Sequence, residues 1–290
     1  MGVSQPTASR IVAALEKKVG AALLTRTTRG VTLTEAGADY LVRAEAILAA
    51  LDEADHAARG TGELRGVLRL AMSTTTAVRC VLPCLPRFVD QHPALRVEFV
   101  LNDERQYLMG LIGDGIDVSL RLGSLTDSSA VAKKIGVVSR VLAASPRYLA
   151  GAGTPRTPAD LLAHSLIVGP AGRGPDGWTF QKDGKVFSAP IEGRFILNSV
   201  EGAIAATVAG LGIVSSGFFG MLRELQSGEL VQVLPEWEMM PADFNAILPA
   251  GRTAKPSARA FTHFIADEVR QLEREWDRFR THEASRAQSG

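Results

Sequence analysis

The chain has 290 residues, enough for two domains of ordinary size. With 46% hydrophobic residues, 22% charged residues and a net charge of +1, the composition is that of a globular protein with a real core and excludes a highly charged disordered chain. No apolar stretch is long enough to cross a bilayer and Met1 is followed by a polar run, so neither a membrane span nor a secretory leader is expected, and the cytoplasm is the expected compartment.

The first predicted element is an amphipathic helix from Val3 to Gly20, VSQPTASRIVAALEKKVG. Ser4 is its expected N-cap, Pro6 falls in the first turn, where proline costs no hydrogen bond, and Gly20 closes it. Ala8, Ile11, Val12, Leu15 and Val19 form one apolar stripe, expected to be buried. The other side presents Gln5, Thr7, Ser9 and Arg10 near the helix N-terminus, side chains suited to base edges and phosphates in a major groove. Leu24 to Arg26 and Val31 to Leu33 read as short strands around a tight turn, a wing that would lay Arg26 and Arg29 on phosphates or in a minor groove. Up to Thr34, the cations Arg10, Lys17, Lys18, Arg26 and Arg29 face Glu16 alone. The basic excess of a nearly neutral chain is therefore local, as a phosphate-binding surface requires.

Thr34 caps a second helix running from Glu35 to about Arg59, roughly 38 Å at 1.5 Å per residue. Tyr40, Ala44, Ile47, Leu51, Ala54 and Ala58 recur at alternating spacings of four and three, the seam of a coiled coil, which calls for a second copy or for the chain's own following domain. Gly60, Gly62 and Gly66 mark a hinge.

Beyond the hinge, strands alternate with helices, so an α/β fold is expected. The predicted strands are Val67 to Met72, Arg96 to Leu101, Val118 to Leu122, Leu166 to Val168, Arg194 to Leu197, Ile213 to Ser215, Leu230 to Leu234 and Asn245 to Leu248. Asp183-Gly184 signals a hairpin between Trp178 to Phe180 and Val186 to Ser188. Helices are expected from Thr76 to His92 with a break at Pro83 and Pro86, around Tyr107 to Ile112, after Thr157, and from Ser199 to Ala209. A last helix capped by Ser257 carries Phe261, Phe264, Ile265, Val269, Leu272, Trp276 and Phe279 on one face, with a disordered tail after Thr281. The apolar run Ile135 to Ala144 leaves the first lobe, and the crossings are expected at Ala144 to Pro146 and near Phe244.

Ser73-Thr74-Thr75-Thr76 follows a strand and precedes a helix, so its hydroxyls either line a crevice for an acceptor-rich molecule or merely cap the helix. Arg121 would meet an anion or pair with Asp117 or Asp127. Cys80 and Cys84 sit four apart with no further pair to complete a metal site, so they read as buried small hydrophobes and no metal or cofactor is expected. No nucleophile elbow, phosphate loop or zinc-protease motif is present, Gly210-Leu211-Gly212 fits a helix end, and no catalytic residue is assigned.

The run S-Q-P-x-x-S-R, followed after a basic wing by L-T-E-A-G, resembles the recognition helix, wing and linker-helix start of LysR-type transcriptional regulators. The order of elements extends the resemblance to the C-terminal helix. It implies a partial winged helix-turn-helix on residues 1–34 and a dimerising linker helix and hinge on 35–62. Residues 63–290 would form an effector domain similar to type 2 periplasmic binding proteins, with lobe I on 63–144 and 246–290 and lobe II on 145–245. DNA contacts would come from Ser4, Gln5, Pro6, Thr7, Ser9, Arg10 and Arg29, and dimer contacts from Tyr40, Ala44, Ile47, Leu51 and Ala54. A small-molecule effector, an anion being the class such residues suit, would meet Ser73, Thr74, Thr75, Thr76, Arg121, Ser145, Val168, Asn198 and Phe218.

The implied partners are double-stranded promoter DNA, a second or further copies in a homodimer or homotetramer, and RNA polymerase. Family members carry more helix ahead of this stretch, so the start at Met1-Gly2 is expected to be an internal codon. A truly shortened chain would leave Ile11, Leu15 and Val19 without packing partners, and the rival function is then a cytoplasmic small-molecule-binding module without working DNA binding.

Overall fold

The computed structural model describes residues 5–27, 30–58, 64–103, 115–123, 131–170 and 177–289. Ser4, Arg29, the hinge glycines Gly60 and Gly62, and the helix expected at Tyr107 to Ile112 lie outside the described residues.

Helix α1 spans Gln5–Val19 and ends at Gly20, whose φ of +78° and N–H to the Glu16 carbonyl at 2.8 Å close it. Its apolar stripe is not buried as expected: Ile11 is 58% exposed and Val19 40%. Its C-terminal end is tied to the following chain, where Glu16 Oε1 accepts the N–H groups of Leu23 and Leu24 at 2.7 and 3.0 Å. The wing strands β1 (Leu24–Thr27) and β2 (Gly30–Leu33) pair antiparallel, Leu24 opposite Leu33.

The junction between wing and α2 (Glu35–Ala58) explains the local sequence L-T-E-A-G. Thr34 Oγ1 accepts the Gly37 N–H at 2.9 Å and donates to the Ala22 carbonyl at 2.7 Å, so one hydroxyl caps the helix and ties it to the wing. Gly37 is required because a Cβ there would lie 1.9 Å from the Leu23 carbonyl oxygen.

Lobe I is built on a five-stranded sheet, in spatial order β4 (Leu95–Leu101), β3 (Gly66–Met72), β5 (Val118–Leu122), β15 (Ala242–Leu248) and β6 (Val131–Val138). Strands β3, β4 and β5 run parallel, as strand-helix-strand units do, and β15 enters antiparallel between β5 and β6. Between β3 and β4 the chain is helical from Thr74 to Gln91, as α3 (Thr74–Thr76), a π turn (Ala77–Val81) and α4 (Leu82–Gln91). The expected break at Pro83 and Pro86 is absent: Pro83 sits in the first turn of α4, Pro86 is carried inside it, and the irregularity is the π turn upstream.

Lobe II has its own five-stranded sheet, β11 (Phe195–Ile196), β8 (Leu166–Val168), β12 (Ile213–Gly217), β7 (Arg140–Ala144) and β13 (Val231–Val233). A smaller sheet joins β10 (Lys185–Ala189), β9 (Trp178–Lys182) and β14 (Glu238–Met239). The β9–β10 turn puts Asp183 at φ +51° and Gly184 at +73°, the left-handed pair that a tight hairpin demands. Helices α5 (Pro146–Ala152), α6 (Val200–Val208) and α7 (Phe218–Ser227) flank the sheets. No element was expected over α7, which follows β12 directly and has Gly217, a residue without a capping side chain, as its N-cap.

The expected crossings are corrected by strand membership. Only Ser139 separates β6 in the first sheet from β7 in the second, and Met240-Pro241 separate β14 from β15. The lobes therefore divide at 139 and 240–241, not at 144 and 245. A strand that changes sheet across one residue leaves apolar residues on both sides, and here the polar pair Ser139-Arg140 is the one interruption between them.

Helix α8 (Pro256–Ser289) runs along both lobes. Phe261 meets Phe88 of α4 edge-on at 5.5 Å, and Trp276 stacks on Phe218 of α7 at 5.3 Å, so one apolar face joins the two lobes in a single core. The tail beyond Thr281 is helical to Ser289 rather than disordered, with Thr281 Oγ1 and Ser285 Oγ donating to the carbonyls four residues earlier. Its Glu, Ala and Arg residues are good helix formers.

Candidate functional site

A cavity of about 160 Å³ opens between the lobes. Its first wall is the end of β3 and the turn into α3. There Ser73 Oγ accepts the Thr76 N–H at 3.2 Å and lies 2.9 Å from Thr76 Oγ1, so the hydroxyl cluster both caps the helix and faces the cavity. Thr75 lines the cavity as well, and its Oγ1 is buried with no hydrogen-bond partner. Asn102 and Asp103 follow β4, and Asp103 Oδ1 accepts the Thr74 N–H at 2.8 Å.

Arg121, at the end of β5, also lines the cavity and donates from Nε to Ser119 Oγ at 3.1 Å. Burial lowers its pKa to about 10, because the charged form loses water. It does not pair with Asp117, which belongs to Lys255 at 3.0 Å, and Asp127 lies outside the described residues. The second lobe supplies Arg140 at the start of β7, with Nη2 on Ser215 Oγ at 3.0 Å, and then Ser216, Gly217 and Phe219. Leu122, Val138, Val200 and Ala203 add apolar wall.

Of the residues expected to meet an effector, Ser73, Thr75, Thr76 and Arg121 line this cavity together. Thr74 contributes its backbone to Asp103 instead. The other four do not line it. Ser145 is buried as the cap of α5, accepting the Tyr148 N–H at 3.3 Å. Val168 is core in the strand before Gly169 and Pro170, which do line the cavity. Asn198 is exposed just ahead of α6, whose Val200 faces the cavity, and Phe218 points into the core against Trp276 while Phe219 takes the wall. The misses at Val168, Asn198 and Phe218 are slips of one or two residues from a lining position, whereas Ser145 lies five residues beyond Arg140 and belongs to the α5 cap. Arg140 and the Ser215-Ser216 pair were legible only as polar residues inside apolar strands.

At the N-terminal end of the chain, Pro6, Thr7, Ser9 and Arg10 are all exposed on the first turns of α1, and Gln5 begins the helix. On α2, Ile47 is 69% and Leu51 57% exposed, while Tyr40 and Ala44 are half-buried; the side chain of Ala54 lies outside the described residues. The alternative of a seam packed on the chain's own effector domain is thus not what Ile47 and Leu51 do. Cys80 and Cys84 are buried free thiols, and among the described residues no cluster of three or more His, Cys, Asp or Glu is arranged to hold a metal. No helix among the described residues is long and apolar enough to cross a membrane.

Residues 61–270 match the LysR substrate binding domain and residues 1–38 the bacterial regulatory helix-turn-helix protein of the lysR family. The chain is 34% identical over 251 residues to an HTH-type transcriptional regulator of Haemophilus influenzae, covering 86% of each. Among solved structures it is similar to CrgA, a LysR-type transcriptional regulator from Neisseria meningitidis, at 28% identity and a TM-score of 0.64 over 92% of this chain and 90% of that one. It is also similar to AphB, the virulence activator of Vibrio cholerae, at 27% identity and a TM-score of 0.61 over 91% and 89%. The helix-turn-helix match disfavours the rival reading of a ligand-binding module alone.

Proposed function

The chain belongs to the LysR family of bacterial transcriptional regulators, and from that premise we propose how its residues divide the work. Helix α1 enters the major groove with Ser4, Gln5, Pro6, Thr7, Ser9 and Arg10 at or near base edges and flanking phosphates, and the wing sets Arg29 on the backbone. A second copy pairs along α2 through Tyr40, Ala44, Ile47, Leu51 and Ala54, which fixes the distance between two recognition helices and so selects dyad-related half-sites. The cavity between the lobes takes a small effector. Its occupancy biases how the copies present α1, a coupling of two sites through one fold. The acting form is a cytoplasmic homodimer or homotetramer, with RNA polymerase as the partner through which DNA binding is read out.

The observation that carries this reading is the coexistence, in one chain, of an exposed polar helix end on a basic segment with a cavity between two lobes that sets polar side chains against an apolar wall. The experiment is operator binding by fluorescence anisotropy, using duplexes from upstream of the chain's own gene. Arg10→Ala is expected to reduce the salt slope by about one if Arg10 holds a phosphate, or to relax one base preference if it reads an edge. Binding unchanged in affinity, salt slope and sequence preference removes Arg10 from the interface.

A further inference from the structure

Arg121 from the first lobe and Arg140 from the second line the cavity, as does the carboxylate of Asp103, which the Thr74 N–H engages at 2.8 Å. Arg121 is the less compensated cation. Its bond to Ser119 Oγ at 3.1 Å is to a neutral group, and among the described residues it forms no ion pair. A half-buried guanidinium in that position has lost water without gaining an anion.

A second feature points the same way. Thr75 is 4% exposed, lines the cavity, and its Oγ1 has no partner, so a buried hydroxyl stands ready to donate. The two groups are neighbours by topology. Strands β3 and β5 are parallel with Ala71 opposite Ser119, so the chain at Ser73 emerges beside Arg121 and Thr75 follows in the first turn of the helix. Facing them are Val200, Ala203 and Phe219, an apolar surface. At about 160 Å³, the space is close to that of a cavity that holds one benzene ring.

Resting on the reading of this cleft as the effector site, we propose that its ligand is a compact monocarboxylate with a ring-sized apolar body. The carboxylate bonds Arg121 and the Thr75 hydroxyl, and the body lies against Phe219 and Val200 of the second lobe. A fork of guanidinium donors matches one carboxylate, and one hydroxyl completes it. A dianion is disfavoured because the Asp103 carboxylate shares the wall. A neutral ligand of the same shape leaves Arg121 uncompensated.

The test is calorimetric titration of the full chain without DNA, with benzoate and hexanoate as probes and benzamide and hexanamide as their uncharged counterparts. At least one carboxylate is expected to bind, with its amide weaker by about tenfold or more, since it forfeits a charge-assisted bond. Arg121→Gln is expected to lose that preference and Thr75→Val to weaken the carboxylate severalfold. Without ligand, Arg121→Gln is expected to unfold no earlier than the parent, because it removes an uncompensated cation. Should it fail to fold, Arg121→Lys keeps the charge and is expected to prefer the carboxylate with reduced affinity. Amides binding as tightly as carboxylates, Arg121→Gln binding as tightly as the parent, or no binding by either carboxylate overturns the proposal. Carboxylate binding alongside a failure to bind any duplex counts against the DNA reading alone.

Discussion

Arg79 of the first lobe holds Glu201 of the second at two points, Nε to Oε1 at 3.0 Å and Nη2 to Oε2 at 2.9 Å, while its Nη1 reaches Glu224 at 2.7 Å. One side chain on the π turn thus ties helices α6 and α7 to the opposite lobe. The two acidic residues draw the Arg79 pKa above its ordinary value, Glu201 most. Val200, next to Glu201, lines the cavity, so the tie lies beside the place where a ligand would draw the lobes together.

Removing Arg79 strands two carboxylates that are each less than a quarter exposed. Arg79→Met is therefore expected to lower unfolding free energy by about 3 kcal/mol, more than a surface pair is worth. Arg79→Lys keeps the charge but not the fork, and is expected to recover only part of that. Denaturant unfolding of both variants, with Glu201→Gln to complete a double-mutant cycle, measures it. A loss below about 1 kcal/mol would put the tie in the class of screened surface pairs.

Gly37 offers a sign reversal. In an ordinary helix interior, glycine to alanine stabilises by about 1 kcal/mol. A methyl at Gly37 meets the Leu23 carbonyl oxygen at 1.9 Å, and that oxygen also accepts the Thr34 N–H at 3.0 Å. Gly37→Ala is expected to cost about 1–3 kcal/mol and to displace the wing, so operator affinity falls with stability. Gly151, in α5 with nothing within 4 Å of its built Cβ, is the control, and Gly151→Ala is expected to be neutral or stabilising. Equal behaviour of the two would refute the steric reading.

The cysteines give a pH-dependent outcome. Burial raises both thiols, Cys84 to about 12, so the folded state favours the protonated form. The stabilisation is present in full below the ordinary thiol pKa of about 8.5 and is lost as pH rises from there through the raised folded values. Native protein is expected to resist an aromatic disulfide reagent at pH 8 and to expose both thiols only on unfolding. Rapid labelling of the native chain would mean that the α4 face opens locally.

Element types were largely legible because strands and helices here obey their own periods. The L-T-E-A-G run and the Asp183-Gly184 turn announced themselves through chemistry that acts within a few residues. What sequence did not carry depends on partners distant along the chain. The switch of sheets at Ser139 and the wall formed by Arg140 and Ser215 arise from pairing strands some seventy residues apart. Arg79 carried no signal in the sequence, since its partners Glu201 and Glu224 lie more than a hundred positions away. In the first lobe the strand-to-helix turn brings Ser73, Thr75 and Thr76 to the cavity beside Arg121, while Asn102, Asp103 and Ala242, which reach it from other strand ends, carried no mark in the sequence.

The seam on α2 is the last consequence. Ile47, Leu48 and Leu51 are more than half exposed on a helix of 24 residues, and Leu41 is 43% exposed. Covering an apolar side chain of this size is worth about 1.5–3 kcal/mol, so two copies facing along α2 gain enough from a few such contacts to pair. Because these side chains touch little within one copy, charge placed there should damage association and leave folding intact. Ile47→Glu with Leu51→Glu is expected to sediment as a smaller species than the parent, with an unchanged far-ultraviolet spectrum and denaturant midpoint. It is also expected to lose operator binding, since a single recognition helix reads one half-site. Retention of the parent's sedimentation coefficient would place the pairing surface elsewhere in the molecule.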